Sequence, residues 1–223
     1  ITLEQLNMFF VGESEHYDRH FDSKIFENYD IVGLSVMTPQ APDAYLLSKL
    51  LNKNHPNLTT VIGGSHARYY FTSVVNLPEE IAFDFVVSQD GWMPMYKIAS
   101  GEIKKSKKSV VLTFPVPLKD LPPPSRPIEL MKKYNFNIAG VPAFHTDTAL
   151  GCPFTCHFCE SGSEKLKKFS DSMINKDLES MAKAHKELGH KKYAVMIFDD
   201  VGLMSPTQVK SLSELIKNNG FNT

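Results

Sequence analysis

The sequence predicts an α/β protein: a parallel sheet flanked by helices, a proline-rich stretch, and then the opening strands and helices of a second α/β unit. Three observations carry this. Short apolar runs recur at residues 29–36, 59–62 and 83–87, the first rich in β-branched residues and bounded by turn signals, as buried parallel strands require. Helical patterns separate them, which implies a sheet covered on both faces. Six prolines then crowd residues 115–127, where neither a helix interior nor a central strand can form.

The elements follow in order. Residues 29–36 (Tyr-Asp-Ile-Val-Gly-Leu-Ser-Val) read as a buried strand. Leu46, Leu47, Leu50 and Leu51 form a helical stripe over residues 44–51, ended by His55-Pro56-Asn57. Residues 59–62 are the next strand, closed by Gly63-Gly64, and 83–87 a third. Residues 91–99 read as a helix stopped near Gly101, and 110–114 as an edge strand. Pro115, Pro117, Pro122, Pro123, Pro124 and Pro127 mark an extended, fairly stiff connection. This divides the chain into an N-terminal domain over 1–114, a linker over 115–140 and a second domain over 141–223; the alternative is one domain crossed by a buried loop. The pattern then restarts. Residues 144–150 are a strand running into three cysteines. Residues 173–188 are a helix, with Ser170, Asp171 or Ser172 as its cap and Gly189 at its end. Residues 193–198 are a strand ending in Asp199-Asp200. Ser205-Pro206-Thr207-Gln208 has the form of a capping box with proline at the first helical position, and the helix it opens runs to Asn218 or Asn219.

Composition narrows the function classes. With 42% hydrophobic and 22% charged residues among 223, the chain resembles a soluble globular protein. A formal net charge of −1 gives no electrostatic argument for nucleic acid or an anionic membrane. No apolar run is long enough to span a bilayer, no charged-then-apolar leader precedes the first strand, and three thiols fit a reducing compartment. A cytoplasmic protein is the expectation. The chain opens on Ile1 rather than methionine and stops at Asn222-Thr223 just past a helix, so it reads as a piece of a longer polypeptide.

The chemistry is concentrated in Gly151-Cys-Pro-Phe-Thr-Cys-His-Phe-Cys159. Cys152, Cys156 and Cys159 are the only cysteines in the sequence. Three soft thiolates on one loop, with no fourth to complete the shell, suit an iron–sulfur cluster that keeps one iron open. Structural zinc wants four ligands, and His157 would have to supply the fourth from the same loop. A disulfide would leave one thiol over. The loop follows the C-terminal end of a strand, where βα folds build their sites.

This stretch resembles the cluster loop of radical S-adenosylmethionine (radical SAM) enzymes in its cysteine spacing, its Gly-Cys-Pro opening and the aromatic before the third cysteine. The resemblance implies a 4Fe–4S cluster on Cys152, Cys156 and Cys159, with the amine and carboxylate of SAM on the open iron and cleavage to a 5′-deoxyadenosyl radical. It also implies SAM contacts from Phe158, Asp199 and Asp200. Phe158 would lie near the adenine, or else be plain core. Asp199 and Asp200 would point to SAM or substrate, or else cap a turn. Lys165, Lys167 and Lys168 read as a solvated face.

The first half carries a second resemblance. Ser35-Val-Met37 after one strand and Gly63-Gly64 after the next are similar to the Ser-x-Leu and Gly-Gly elements of cobalamin-binding domains. The expected contacts to the corrin or its nucleotide tail are Ser35, Thr38, Gly63, Gly64, His66 and Asp90, with glycines permitting close backbone approach; His66 reads equally as a surface or capping residue. Three departures stand out. The Asp-x-His-x-x-Gly element that supplies a cobalt-binding histidine is absent, Ser65 replaces a proline of Gly-Gly-Pro-His, and Gln89-Asp90-Gly91-Trp92 stands where the family shows Gly-Glu-Gly-Glu.

Taken together the order resembles cobalamin-binding-domain radical SAM proteins over most of residues 29–223. The implied fold is a partial Rossmann-like parallel-sheet cobalamin-binding domain followed by the first βα units of a radical SAM (β/α) barrel, which needs about 250 residues when complete. The implied activity is methyl transfer to an unactivated centre of a small-molecule substrate, with cobalamin, SAM and an electron donor such as flavodoxin or ferredoxin. The competing readings are a radical SAM enzyme without cobalamin and a non-catalytic zinc- or metal-binding regulatory protein.

Overall fold

The computed structural model describes residues 22–114, 118, 121–159, 165–201 and 205–221. These fall into two compact units, one up to residue 116 and one from 117. Pro115 and Pro117, which the sequence assigns to the linker, lie outside the described residues, as do the two ends of the chain.

Among the described residues, the first unit is built on a four-stranded sheet in sequential order: β1 (Ile31–Ser35), β2 (Thr59–Gly63), β3 (Phe85–Val87) and β4 (Val110–Leu112). All pairings are parallel, with Ile31 opposite Thr59, Val61 opposite Phe85 and Val87 opposite Leu112. The connections are α1 (Ala41–Asn54), the short α2 (Ser65–Tyr69) and α3 (Phe71–Val75), and α4 (Trp92–Ala99).

Strand alternation explains the layering. Ile62 and Val86 face one way and pack with Ala41, Ala44, Ala67 and Val74 of α1, α2 and α3. Val61, Phe85, Val87 and Leu112 face the other way and pack with Ile98 of α4. The sheet is thus covered on both faces, as expected from a doubly wound α/β pattern. The buried stripe of α1 differs from the one the leucines suggest. Ala41, Ala44, Leu47, Ser48 and Leu51 are buried, while Leu46 and Leu50 are only half-buried, because the helix lies close to the sheet on its small residues.

A buried polar knot fixes the opposite, N-terminal end of the sheet. Asp84 accepts from the Thr60 amide at 2.9 Å and pairs with Lys108 at 3.0 Å. In return the Asp84 amide donates to the Thr60 hydroxyl at 3.1 Å.

In the second unit the described proline-rich residues 121–127 carry no regular structure and lead into α5 (Ile128–Met131). β5 (Asn137–Ile138) runs antiparallel to β6 (Val141–Thr146). β6 then pairs in parallel with β9 (Ala194–Ile197), Phe144 lying opposite Val195. Between them come β7 (Ala149–Leu150), β8 (Lys167–Lys168) and α6 (Asp171–Glu187), and after them α7 (Pro206–Asn218).

Ser170 caps α6 by accepting from the Met173 amide, and Ser205 caps α7 by accepting from the Gln208 amide. Ile174, Leu178 and Met181 of α6 and Leu212 of α7 bury Phe144, Tyr193 and Phe221. Arg126 reaches from the proline-rich segment to Asp177 on α6 at 2.5 Å. Asp177 also accepts from Thr146, the last residue of β6, at 2.7 Å.

The continuous strand expected over 144–150 is not one strand. It breaks at Asp147 and Thr148 into β6 and β7, because the Asp199 carboxylate, just past the end of β9, captures the backbone there.

Candidate functional site

The cysteine loop leaves β7 and returns on β8. These two short strands pair antiparallel, Ala149 opposite Lys168 and Leu150 opposite Lys167, so the loop is pinched at its neck. Lys167 and Lys168 are exposed, as expected for a solvated face, yet their backbone forms one side of that neck.

The other side is tied down by the two acids that follow β9. The Thr148 amide donates to Asp199 Oδ1 at 2.6 Å, and the Ala149 amide donates to the same oxygen at 3.1 Å. The Thr148 hydroxyl donates to Asp199 Oδ2. The Gly151 amide donates to Asp200 Oδ2 at 3.0 Å, from a backbone in the left-handed region with φ 80°, which glycine adopts without strain. Thr148 itself is buried, and its carbonyl accepts from the Phe169 amide at 3.0 Å.

On the loop, Cys152 is half-buried while Cys156 and Cys159 are exposed. A turn closes between the last two, the Cys159 amide donating to the Cys156 carbonyl at 3.0 Å. Among the described residues no three His, Cys, Asp or Glu side chains converge on a point where a metal ion would sit, and His157 joins no such group. The fit to an iron–sulfur cluster therefore rests on donor chemistry: three thiols within one short loop, accessible, at the mouth of a parallel strand pair. Phe158 is 92% exposed, which rules out core packing as its role here.

Asp147, between β6 and β7, belongs to no motif in the sequence, yet it stands at the same strand end as the thiols. The residue keeps solvent contact, but loss of water around its carboxyl, followed by the charge of Asp199, pushes its pKa up; Asp200 and Asp177 add to this and His145 opposes it.

In the first unit, five of the six residues expected to meet a corrin gather at the C-terminal ends of β1 and β2. The Val36 amide donates to the Gly63 carbonyl and the His66 amide to the Val36 carbonyl, both at 2.9 Å. A Cβ on Gly64 would lie 2.6 Å from Val36 N and 3.1 Å from Ser35 Oγ, and its φ is +86°. The close approach that demands glycine at 64 is thus made by the chain's own backbone. Gly63 is less constrained, its Cβ meeting Val87 at an ordinary 3.6 Å.

His66 is buried and stacks on Tyr70 at 5.2 Å. Its Nε2 bonds the Tyr45 hydroxyl at 2.7 Å and its Nδ1 the Thr38 hydroxyl at 3.3 Å; burial lowers its pKa. Tyr45, hidden inside a helical stripe, had no sequence signal of its own. Asp90 stands past the end of β3, beside the exposed Trp92.

No family model matches the chain. Over 217 residues it is 27% identical to an uncharacterized methyltransferase, PH0819, of Pyrococcus horikoshii, covering 89% of this chain and 46% of that protein. Among solved structures it is similar to the apo, SeMet-labelled cobalamin-dependent S-adenosylmethionine radical enzyme OxsB. That likeness has a TM-score of 0.50 at 18% identity and covers 84% of this chain and 28% of that one. It is a likeness of fold, and it agrees with the α/β architecture described above. The chain spans less than half the length of the curated relative it matches.

Proposed function

We propose that this chain is the cofactor-binding part of a radical SAM enzyme whose complete form transfers a methyl group. The observation that carries the reading is the loop of Cys152, Cys156 and Cys159, held at the mouth of β6 and β9. The name of the Pyrococcus relative supports methyl transfer, and the OxsB fold supports the pairing of a parallel-sheet unit with the start of a βα unit.

In this reading the three thiolates hold a 4Fe–4S cluster and leave one iron for SAM. When bound, the cluster supplies the electron that cleaves the sulfonium of SAM to a 5′-deoxyadenosyl radical. The chain's own residues bind and orient. Phe158 offers an open ring face to the adenine. The neck formed by β7, β8 and Asp199 fixes where the loop begins. In the first unit the rim of Ser35, Thr38, Gly63, Gly64, His66 and Asp90 is the proposed cobalamin site. The substrate is a small molecule, the electron donor is of the flavodoxin or ferredoxin kind, and the enzyme works in the cytoplasm.

A second reading drops cobalamin and is favoured by one observation: both ring nitrogens of His66 are already bonded within the unit.

Anaerobic reconstitution with iron and sulfide tests the first reading. About four irons per chain are expected, with broad visible absorption lost in the Cys152→Ala, Cys156→Ala, Cys159→Ala triple variant. Stoichiometric zinc with no iron uptake would overturn it. Titration with cobalamin, read from the corrin bands, separates the two radical readings.

A further inference from the structure

We infer that Asp199 is a positioning residue for the cysteine loop, acting through Thr148 and Ala149 rather than by touching SAM or metal. The inference rests on the proposed function but concerns a role the sequence resemblance did not give this residue.

Both carboxylate oxygens of Asp199 are engaged by the two residues that lead into the loop: Oδ1 accepts two amides and Oδ2 the Thr148 hydroxyl. These bonds join β9 to the break between β6 and β7, a sequence separation of 51 residues at Thr148. The carbonyl of Thr148 is held in turn by Phe169, just past β8, so one buried residue gathers both sides of the neck. Three residues beyond Thr148 the Gly151 amide is held by Asp200, and Cys152 comes next. The direction in which the first thiol leaves the sheet is therefore set by amides held on fixed side-chain acceptors.

A residue that acts by accepting these hydrogen bonds makes a different demand from one that acts by its charge. Asparagine at 199 would keep a carbonyl for the Thr148 and Ala149 amides. Its amide would donate to the Thr148 hydroxyl, which can turn to accept. Alanine would abandon all three donors. A carboxylate needed for its charge, on SAM or on a metal, tolerates neither change.

The test uses the full chain, reconstituted anaerobically, with iron retention measured against a competing chelator. Asp199→Ala is expected to weaken iron retention about 10- to 100-fold, the usual scale for residues that orient a ligand, while Asp199→Asn stays close to the unsubstituted chain. Thr148→Val, which loses only the hydroxyl, should fall between them. In parallel, amide exchange over residues 148–151 should quicken in Asp199→Ala and not in Asp199→Asn, with α6 as the internal reference for an intact fold. If Asp199→Asn loses iron as badly as Asp199→Ala, or if Asp199→Ala matches the parent in both measurements, the inference is wrong. If the parent chain itself takes up no iron, the proposed function fails, and amide exchange alone then decides the role of Asp199.

Discussion

His185 shows what a single side chain is asked to tolerate here. It is fully buried on α6, stacked between Phe144 at 4.0 Å and Tyr193 at 4.8 Å. Its Nδ1 bonds His190 at 2.9 Å, and its Nε2 meets no partner among the described residues. Burial first, then the charges of His190 and Arg126, lowers its pKa from 6.5 to about 4. The folded chain therefore binds fewer protons at this site than the unfolded chain between those two values. Stability from His185 is fully present above pH 6.5 and is lost as pH falls toward 4, by at most about 3.4 kcal/mol. Melting temperature should fall over that window. A His185→Phe variant, which keeps the stack without the titration, should show a shallower fall; an unchanged slope would refute the assignment. His66 makes the contrasting case. The sequence reads it as a corrin contact or, about equally, as a surface or capping residue, and in the structure it has two hydroxyl partners and a tyrosine stack.

At the scale of elements, the strands were legible because each buried run announces itself in apolar β-branched residues. Their breaks were not. The interruption between β6 and β7 depends on Asp199, a residue far along the chain whose local signal is only a strand end. The buried face of α1 departs from its leucine stripe for a related reason: contact with the sheet selects the small residues Ala41 and Ala44. Helices as short as α2 and α3 leave too few residues for a periodic signal.

The Asp84 knot is likewise a product of pairing rather than of sequence. It joins β2, the start of β3 and the approach to β4, and so tests whether the sheet behaves as one element. Asp84→Ala strands the buried Thr60 amide and removes the ion pair from Lys108 and Lys105, which keep Asn52 and the Pro56 and Leu58 carbonyls as partners. Leaving that amide unsatisfied in the interior costs about 1–3 kcal/mol, to be read from urea unfolding; a loss of a few tenths would show that the knot is solvated.

The two units each own their apolar clusters. Among the described residues, Phe144, Leu178 and Leu212 build the core of one, and Val61, Ile62 and Leu51 lie in the clusters of the other. Unfolding is thus expected in two steps. Asp84→Ala should lower the transition of the first unit and leave the second in place, whereas acidification toward pH 4 should lower the second through His185. Calorimetry that shows both steps moving together under either change would mean that the units unfold as one.

Trp92 is the sequence's lone indole and stands 46% exposed at the start of α4, beside the strand-end rim. Nature has in effect wired a fluorophore to one half of the polypeptide. Its glow should redden only slightly when that half melts, stay silent while the other half denatures, and dim by energy transfer if a coloured macrocycle docks nearby, so the molecule reports on its own occupancy without any label.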